Sequence, residues 1–155
     1  KFNKNNFEDI SSSQIRKHII NGEIDKANHL LGRDFFITGK VIRGKSRGRS
    51  LGFPTANLNY DSNRIIPRSG VYYTRISLGK KVYNSITNIG SNPTFNESNI
   101  SVESFIIDFK KNIYNKNISL YFLKRHRDIV KFKTITELKT KIADDVKKAK
   151  EYFLK

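Results

Sequence analysis

The spacing of apolar residues changes twice along this chain, and the changes divide it into a helical opening, a run of strands and a closing helix. Residues 1–9 are polar and rich in Asn and Lys, without apolar periodicity, and have the composition of a frayed end or a severed linker. Ser11 with Gln14 three residues on is a helix-start signal, Ile15 and Ile19 stand four apart, and Gly22 suits the stop. A second short helix is predicted from about Glu23 to Leu31, with Ile24, Ala27, Leu30 and Leu31 on one side and Gly32 as its terminator. From Phe35 the period becomes two. Segments 35–43, 71–78, 81–89, 101–109 and 118–125 are rich in Val, Ile, Phe, Tyr and Thr and read as strands. Gly79-Lys80 leaves a hairpin-sized gap, and Asn112 to Asn117 supplies turn residues before the last strand. Short strands with no helices between them predict a mainly β, antiparallel closed sheet or barrel rather than a parallel α/β sheet.

The period returns to that of a helix near the end. Thr134 and Glu137 form a capping box, and Ile135, Leu138, Ile142, Val146, Ala149 and Phe153 recur at three and four residues. An amphipathic helix packed on the barrel is expected. Its other face carries Lys139, Lys141, Lys147, Lys148 and Lys150, read as solvated surface.

Composition narrows the chemistry. The chain has 155 residues, the size of one main domain, and 30 Lys and Arg against 14 Asp and Glu, a net charge of +16. That charge favours polyanions, nucleotides and nucleic acids alike, although Lys, Asn and Ile are used heavily throughout. Thiolate metal sites and disulfides are excluded by the absence of cysteine, and three scattered histidines, His18, His29 and His126, make a poor zinc set. No stretch approaches the roughly 18 apolar residues of a membrane helix, so a membrane partner is not expected, and a cytoplasmic location is. The absence of methionine and the opening on Lys1 suggest a piece of a longer protein.

Gly44, Gly48 and Gly52 recur every four residues, with Arg47 and Arg49 between them, ahead of Phe53-Pro54-Thr55-Ala56-Asn57. Glycines let backbone N–H groups approach an anion and arginines add forked donors, so the loop suits phosphates; it also has the composition of a solvated basic hairpin loop. It lacks the ending of a Walker loop. Thr55 and Asn57 project from one side of an extended segment and offer a hydroxyl and an amide oxygen, hard donors that magnesium accepts; the alternative is a Pro-Thr turn bonded to its own backbone. Glu103 alternates with Phe105, Ile107 and Phe109, which places a carboxylate on the most apolar face of its strand. A carboxylate facing a barrel interior is costly unless used or paired, and the alternative is a rim position beside an arginine. Asp108 falls on the opposite side. Together these groups could hold nucleotide phosphates and a metal while Glu103 takes the proton of a substrate hydroxyl, a small-molecule kinase. A basic β-barrel binding nucleic acid, with Tyr72, Tyr73 and Tyr83 exposed for stacking, is the competing reading and the weaker one.

These residues resemble the riboflavin kinase family, specifically the C-terminal module of bacterial bifunctional FAD synthetases. The resemblance runs from Leu31-Gly32-Arg33-Asp34-Phe35 through Arg47-Gly48-Arg49, Gly52 to Asn57, Asn88-Ile89-Gly90, Asn92-Pro93-Thr94-Phe95 and Val102-Glu103 to Asp108-Phe109. It implies a six-stranded Greek-key barrel over 33–155 that phosphorylates the ribityl 5′-hydroxyl of riboflavin to give FMN and ADP. Mg2+ with ATP would sit under the glycine loop, at Gly44, Arg47, Gly48, Arg49, Gly52 and Pro54, with Thr55 and Asn57 at the metal and Glu103 as base. Arg127 and Phe132 match the flavin flap; Ile129 stands where the family commonly has an acidic residue, and the neighbouring Asp128 is the acid that would take its place on the flavin side. Ile10 to Arg16 resembles the end of the adenylyltransferase module that precedes the kinase in these enzymes. Residues 1–32 are therefore expected to be a remnant of that module, with exposed apolar helix faces. The module's His-x-Gly-His type motif is absent from these residues, so FMN adenylylation is not expected of them.

Overall fold

A computed structural model describes residues 11–44, 47–92 and 99–155. Helix α1 spans Ser12–Asn21; the Ser11 side chain accepts from the Gln14 N–H, and Gly22 closes the helix. Helix α2, Ile24–Leu31, ends at Gly32. Both follow the predicted bounds. Their apolar faces are covered rather than left open: Ile24 is fully buried with barrel residues such as Ile37 and Phe122, and Ala27 is fully buried too. Asn28 ties α2 down, donating to the Phe122 carbonyl at 2.8 Å and accepting from the Phe35 N–H at 2.7 Å.

Six strands follow: β1 Phe35–Ile42, β2 Ala56–Tyr60, β3 Gly70–Leu78, β4 Lys81–Asn92, β5 Asn99–Ile106 and β6 Asn117–Arg127. They pair antiparallel and close in the order β1-β2-β5-β4-β3-β6. Since β3, β4 and β5 form a meander and β2 returns beside β5, the topology is a Greek key. The hairpin at Gly79-Lys80 joins β3 and β4 with Leu78 opposite Lys81, and Asn115 takes a φ of 62° in the turn before β6.

Two expectations change. Strand β2 was not foreseen, because Asn57 and Asn59 are poor strand formers; it is held by ladders to β1 and β5 on either side. Strand β5 ends at Ile106, not 109, since Asp108 has a φ of 55° and breaks the alternation.

The barrel interior is filled by Ile37, Val41, Tyr72, Ile76, Ile89, Val102, Leu120 and Phe122, all fully buried. A second apolar cluster lies outside the barrel, where Val71, Tyr73 and Ile86 meet Val146 and Ala149 of helix α4, Ile135–Phe153. The cap of α4 is as predicted, with the Glu137 N–H on the Thr134 hydroxyl at 3.1 Å and the Glu137 carboxylate reaching back to the Lys133 N–H. Ile135 is not part of the packed face; it is 72% exposed in the solvent-facing first turn. Lys139, Lys147, Lys148 and Lys150 are solvated as expected, the last two paired to Asp144 and Asp108, whereas Lys141 is half-buried beside Asp144 and Asp145.

Candidate active site

Two cavities open beside strands β2 and β5. The first, of about 490 Å³, is lined by Gly44, Arg49, Pro54, Thr55 and Asn57 on one side and by Phe109 to Tyr114 on the other. Four cations, Arg43, Arg49, Lys110 and Lys111, border it. That density of positive charge around a cavity suits a polyphosphate. The second, of about 290 Å³, lies between the barrel and α4. Its walls are mostly apolar, from Phe53, Val71, Ile86, Phe105, Ile129, Val130 and Phe132, with Glu103, Asn88, Arg127 and Asp145 as polar groups. An apolar slot with few convergent polar groups suits a flat ring system. Thr55 lines both cavities.

Strand register brings the polar groups into one row. Asn57 pairs with Glu103, Glu103 with Asn88, Asn88 with Val71, and Val71 with Arg127, crossing five strands. Alternation then turns Val102, Ser104 and Ile106 into the barrel, and Glu103 with Phe105 outward to the space under α4. The sequence placed Glu103 toward the barrel interior; its face is instead the outer one, which reads as equally apolar because α4 covers it. Phe109 is not on that face. Beyond the turn at Asp108 it packs against Tyr83 and lines the first cavity.

The glycine loop contains a short helix, α3, Arg47–Ser50. A Cβ at Gly44 would lie 2.1 Å from Nδ2 and 2.3 Å from Cγ of Asn57, so glycine there leaves the Asn57 amide its room. A Cβ at Gly48 would lie 2.4 Å from the Phe53 carbonyl oxygen, whose own N–H donates to the Gly48 carbonyl at 2.8 Å. These contacts fold the loop back on the Phe53-Pro54-Thr55 segment. Gly48 borders the second cavity rather than the first, and Gly52, with a φ of 86°, borders neither. The side chain of Arg47 lies outside the described residues, as do Pro93, Thr94 and Phe95.

Of the three flap residues, Arg127 and Phe132 line the second cavity. Asp128 does not. Its side chain is 73% exposed and accepts from Arg125 at 2.7 Å, a bond that holds its carboxyl below the usual carboxylate range. Arg125 also donates to the Ser69 carbonyl and stands over the Tyr72 ring. Tyr72 and Tyr73 are buried and Tyr83 is partly buried against Phe109, so these three do not form the exposed stacking surface that the nucleic-acid reading needs.

Sequence reasoning missed four contributors. Arg43, Lys110 and Lys111 border the first, cationic cavity, and for the two lysines the basic run after Phe109 in a turn was the available signal. Asp145 lines the second cavity from α4. It stands three residues after Ile142 and four before Ala149, inside the apolar stripe, and that misplacement of an acid was legible. The Asp145 carboxylate accepts from Arg127 and from the His126 ring, whose other nitrogen meets the Tyr73 hydroxyl at 2.8 Å. Burial pushes the His126 pKa down, although Asp145 pulls it the other way.

No described helix is long and apolar enough to cross a membrane. A family model described as riboflavin kinase matches residues 31–153. The chain is 42% identical over 93% of its length to the bifunctional riboflavin kinase/FMN adenylyltransferase of Bacillus subtilis, and it covers 46% of that protein. The corresponding Haemophilus influenzae protein is 36% identical over 93% of this chain, with 47% of it covered. The chain thus spans about half the length of these curated relatives. Among solved structures, a macrolide-efflux protein from Streptococcus pneumoniae superposes with a TM-score of 0.83, at 34% identity, over 92% of this chain and 45% of that one. Riboflavin kinase from Trypanosoma brucei shares the fold, with a TM-score of 0.53 and 22% identity over 77% of this chain and 80% of that one. From the closed barrel, the row of Asn57, Glu103 and Arg127 and the match over 31–153, the chain belongs to the riboflavin kinase family.

Proposed function

We propose that this chain transfers the terminal phosphoryl group of ATP to the ribityl 5′-hydroxyl of riboflavin, giving FMN and ADP. The observation that carries this reading is the meeting of a cationic cavity and an apolar one at Thr55, with Asn57 and Glu103 as cross-strand partners at the junction. Arg43, Arg49, Lys110 and Lys111 hold the phosphate chain by charge-assisted donors. Phe53, Phe105, Ile86 and the Ile129 to Phe132 segment hold the flavin ring. The ribityl chain then points toward Thr55, and Glu103 accepts the hydroxyl proton as the new P–O bond forms and the bond to ADP breaks.

Thr55 and Asn57 fit a magnesium ion: both offer neutral hard oxygens, and glycine at position 44 makes the space that the Asn57 amide occupies. Bound there, Mg2+ supplies neutralisation of the charge that develops on the transferred group. Positioning and charge stabilisation carry most of the acceleration in phosphoryl transfer, so the cationic cavity matters more than the base. The curated relatives are named as bifunctional, and an adenylyltransferase module in the parent chain is the partner this reading implies. An ATP-consuming reaction in a chain without cysteine fits the cytoplasm.

The test is chromatography of the purified chain incubated with riboflavin, ATP and Mg2+. FMN and ADP are expected in equal amounts. Their absence, with the β-rich circular dichroism spectrum intact, would end the kinase reading.

A further inference from the structure

Asp145 sits in the packed face of α4 with 3% of its surface exposed, which is costly for a carboxylate unless its oxygens are satisfied. They are satisfied mainly by one residue. Arg127 Nε donates to both oxygens at 3.0 Å and Nη2 donates to Oδ2 at 2.6 Å, while His126 Nε2 stands 3.1 Å from Oδ1. Lys141 adds a longer contact at 3.6 Å. The remaining branch of the guanidinium, Nη1, donates to the Asp128 main-chain carbonyl at 2.8 Å. One arginine therefore joins a helix, the end of β6 and the first peptide of the segment that walls the apolar cavity. These bonds use three of its five N–H groups, and both Arg127 and Asp145 line the cavity.

We infer that Asp145 is a positioning residue for the flavin side of the site: through Arg127 it fixes the Asp128 carbonyl, and with it the Ile129 to Phe132 wall. The carboxylate aims the guanidinium fork, and the fork sets the path of the chain. Nothing in this role requires Asp145 to touch either substrate. The inference rests on the riboflavin kinase reading for its choice of ligand.

Asp145→Asn keeps the shape and removes the charge that orients Arg127. Titration of riboflavin fluorescence with the chain measures flavin affinity without turnover, and initial rates measure the two KM values. Flavin affinity should fall about tenfold to a hundredfold, the range for losing a hydrogen bond to a charged group. The KM for riboflavin should rise in step while the KM for ATP stays within about twofold. Arg127→Gln should reproduce the loss, and the double variant should be no worse than Arg127→Gln alone, because the two residues act as one unit. A merely structural strut for α4 would instead lower kcat and raise both KM values, with additive effects. Should Asp145→Asn fail to fold, Arg127→Lys, which keeps a cation beside Asp145 but loses the fork, gives the same flavin-selective loss.

Unchanged flavin affinity in Asp145→Asn, or in Arg127→Lys where that stands in, overturns the positioning role alone. Flavin binding by the unsubstituted chain without FMN formation overturns the kinase reading alone. No flavin binding at all overturns both.

Discussion

The two faces of strand β5 bury polar groups in opposite ways. On the inner face Ser104 begins a chain of hydroxyls that runs to Thr87 at 2.7 Å, on to Thr74 at 2.7 Å, and to Ser85 at 2.8 Å, all within the barrel core. On the outer face Glu103 shares a cavity with Arg127 and Asp145. The hydroxyl chain is neutral and every member has a partner within it, Thr74 and Thr87 two each. It has no need of a ligand. The outer groups carry charge, border open space, and are held by residues from three separate elements, β5, β6 and α4. Buried polarity of the first kind specifies a core, and the second kind prepares a surface for something that arrives. The largest effects on activity should therefore come from the outer row and its junction, and effects on stability alone from the inner chain.

The strongest break should come at the junction. Replacing Thr55 by Val together with Asn57 by Ala should lower kcat by about a thousandfold, since each removes an oxygen that steadies developing charge. The Mg2+ concentration for half-maximal rate should rise as well. A variant that keeps its metal dependence would remove both residues from that role. Glu103→Gln comes next, with a fall in kcat of about a hundredfold, the lower end for a general base, because phosphoryl transfer asks little of one. ATP affinity, measured by calorimetry, should stay within about twofold of the parent. A fully active Glu103→Gln chain would mean that solvent takes the proton.

Thr87→Val sharpens the comparison from the other side. Valine keeps the shape but takes away the hydroxyl that links Thr74 to Ser104, at a cost of about 1–3 kcal/mol. Thermal unfolding should begin several degrees lower while both KM values hold. A change in KM for either substrate would show that the inner chain reaches the site.

Much of this architecture is legible from local signals. The caps at Ser11 and Thr134, the hairpin at Gly79, and the period of the strands are fixed by residues within a few positions of each other. What was not legible depends on pairing at a distance. The strand character of Asn57 and Asn59 comes from β1 and β5, not from asparagine. Alternation told that Glu103 and Phe105 share a face, but both faces of β5 are covered, one by the barrel and one by α4, so apolarity could not say which was inside. Thr55 and Asn57 were chosen for their oxygens alone. That Asn57 would fall opposite Glu103 is a fact of register, and no window of sequence contains it.

The smallest expected effect concerns His126, on the outer side of the barrel, which meets the Tyr73 hydroxyl on one side and the Asp145 carboxylate on the other. Asp145 favours its protonation, while burial and the cations Arg127 and Lys141 oppose it, and the balance lowers its pKa in the folded chain. A lowered histidine pKa means that the unfolded chain takes up the proton first as pH falls below about 6.5. The stabilising contribution is complete above that value and is lost as pH drops toward the folded-state pKa. His126→Gln removes the titration but can still bond in both directions, so its midpoint of unfolding should decline less steeply than the parent's from about pH 6.5 downward. Parallel declines would show that His126 takes up its proton over the same pH range in both states, so that folding does not lower its pKa.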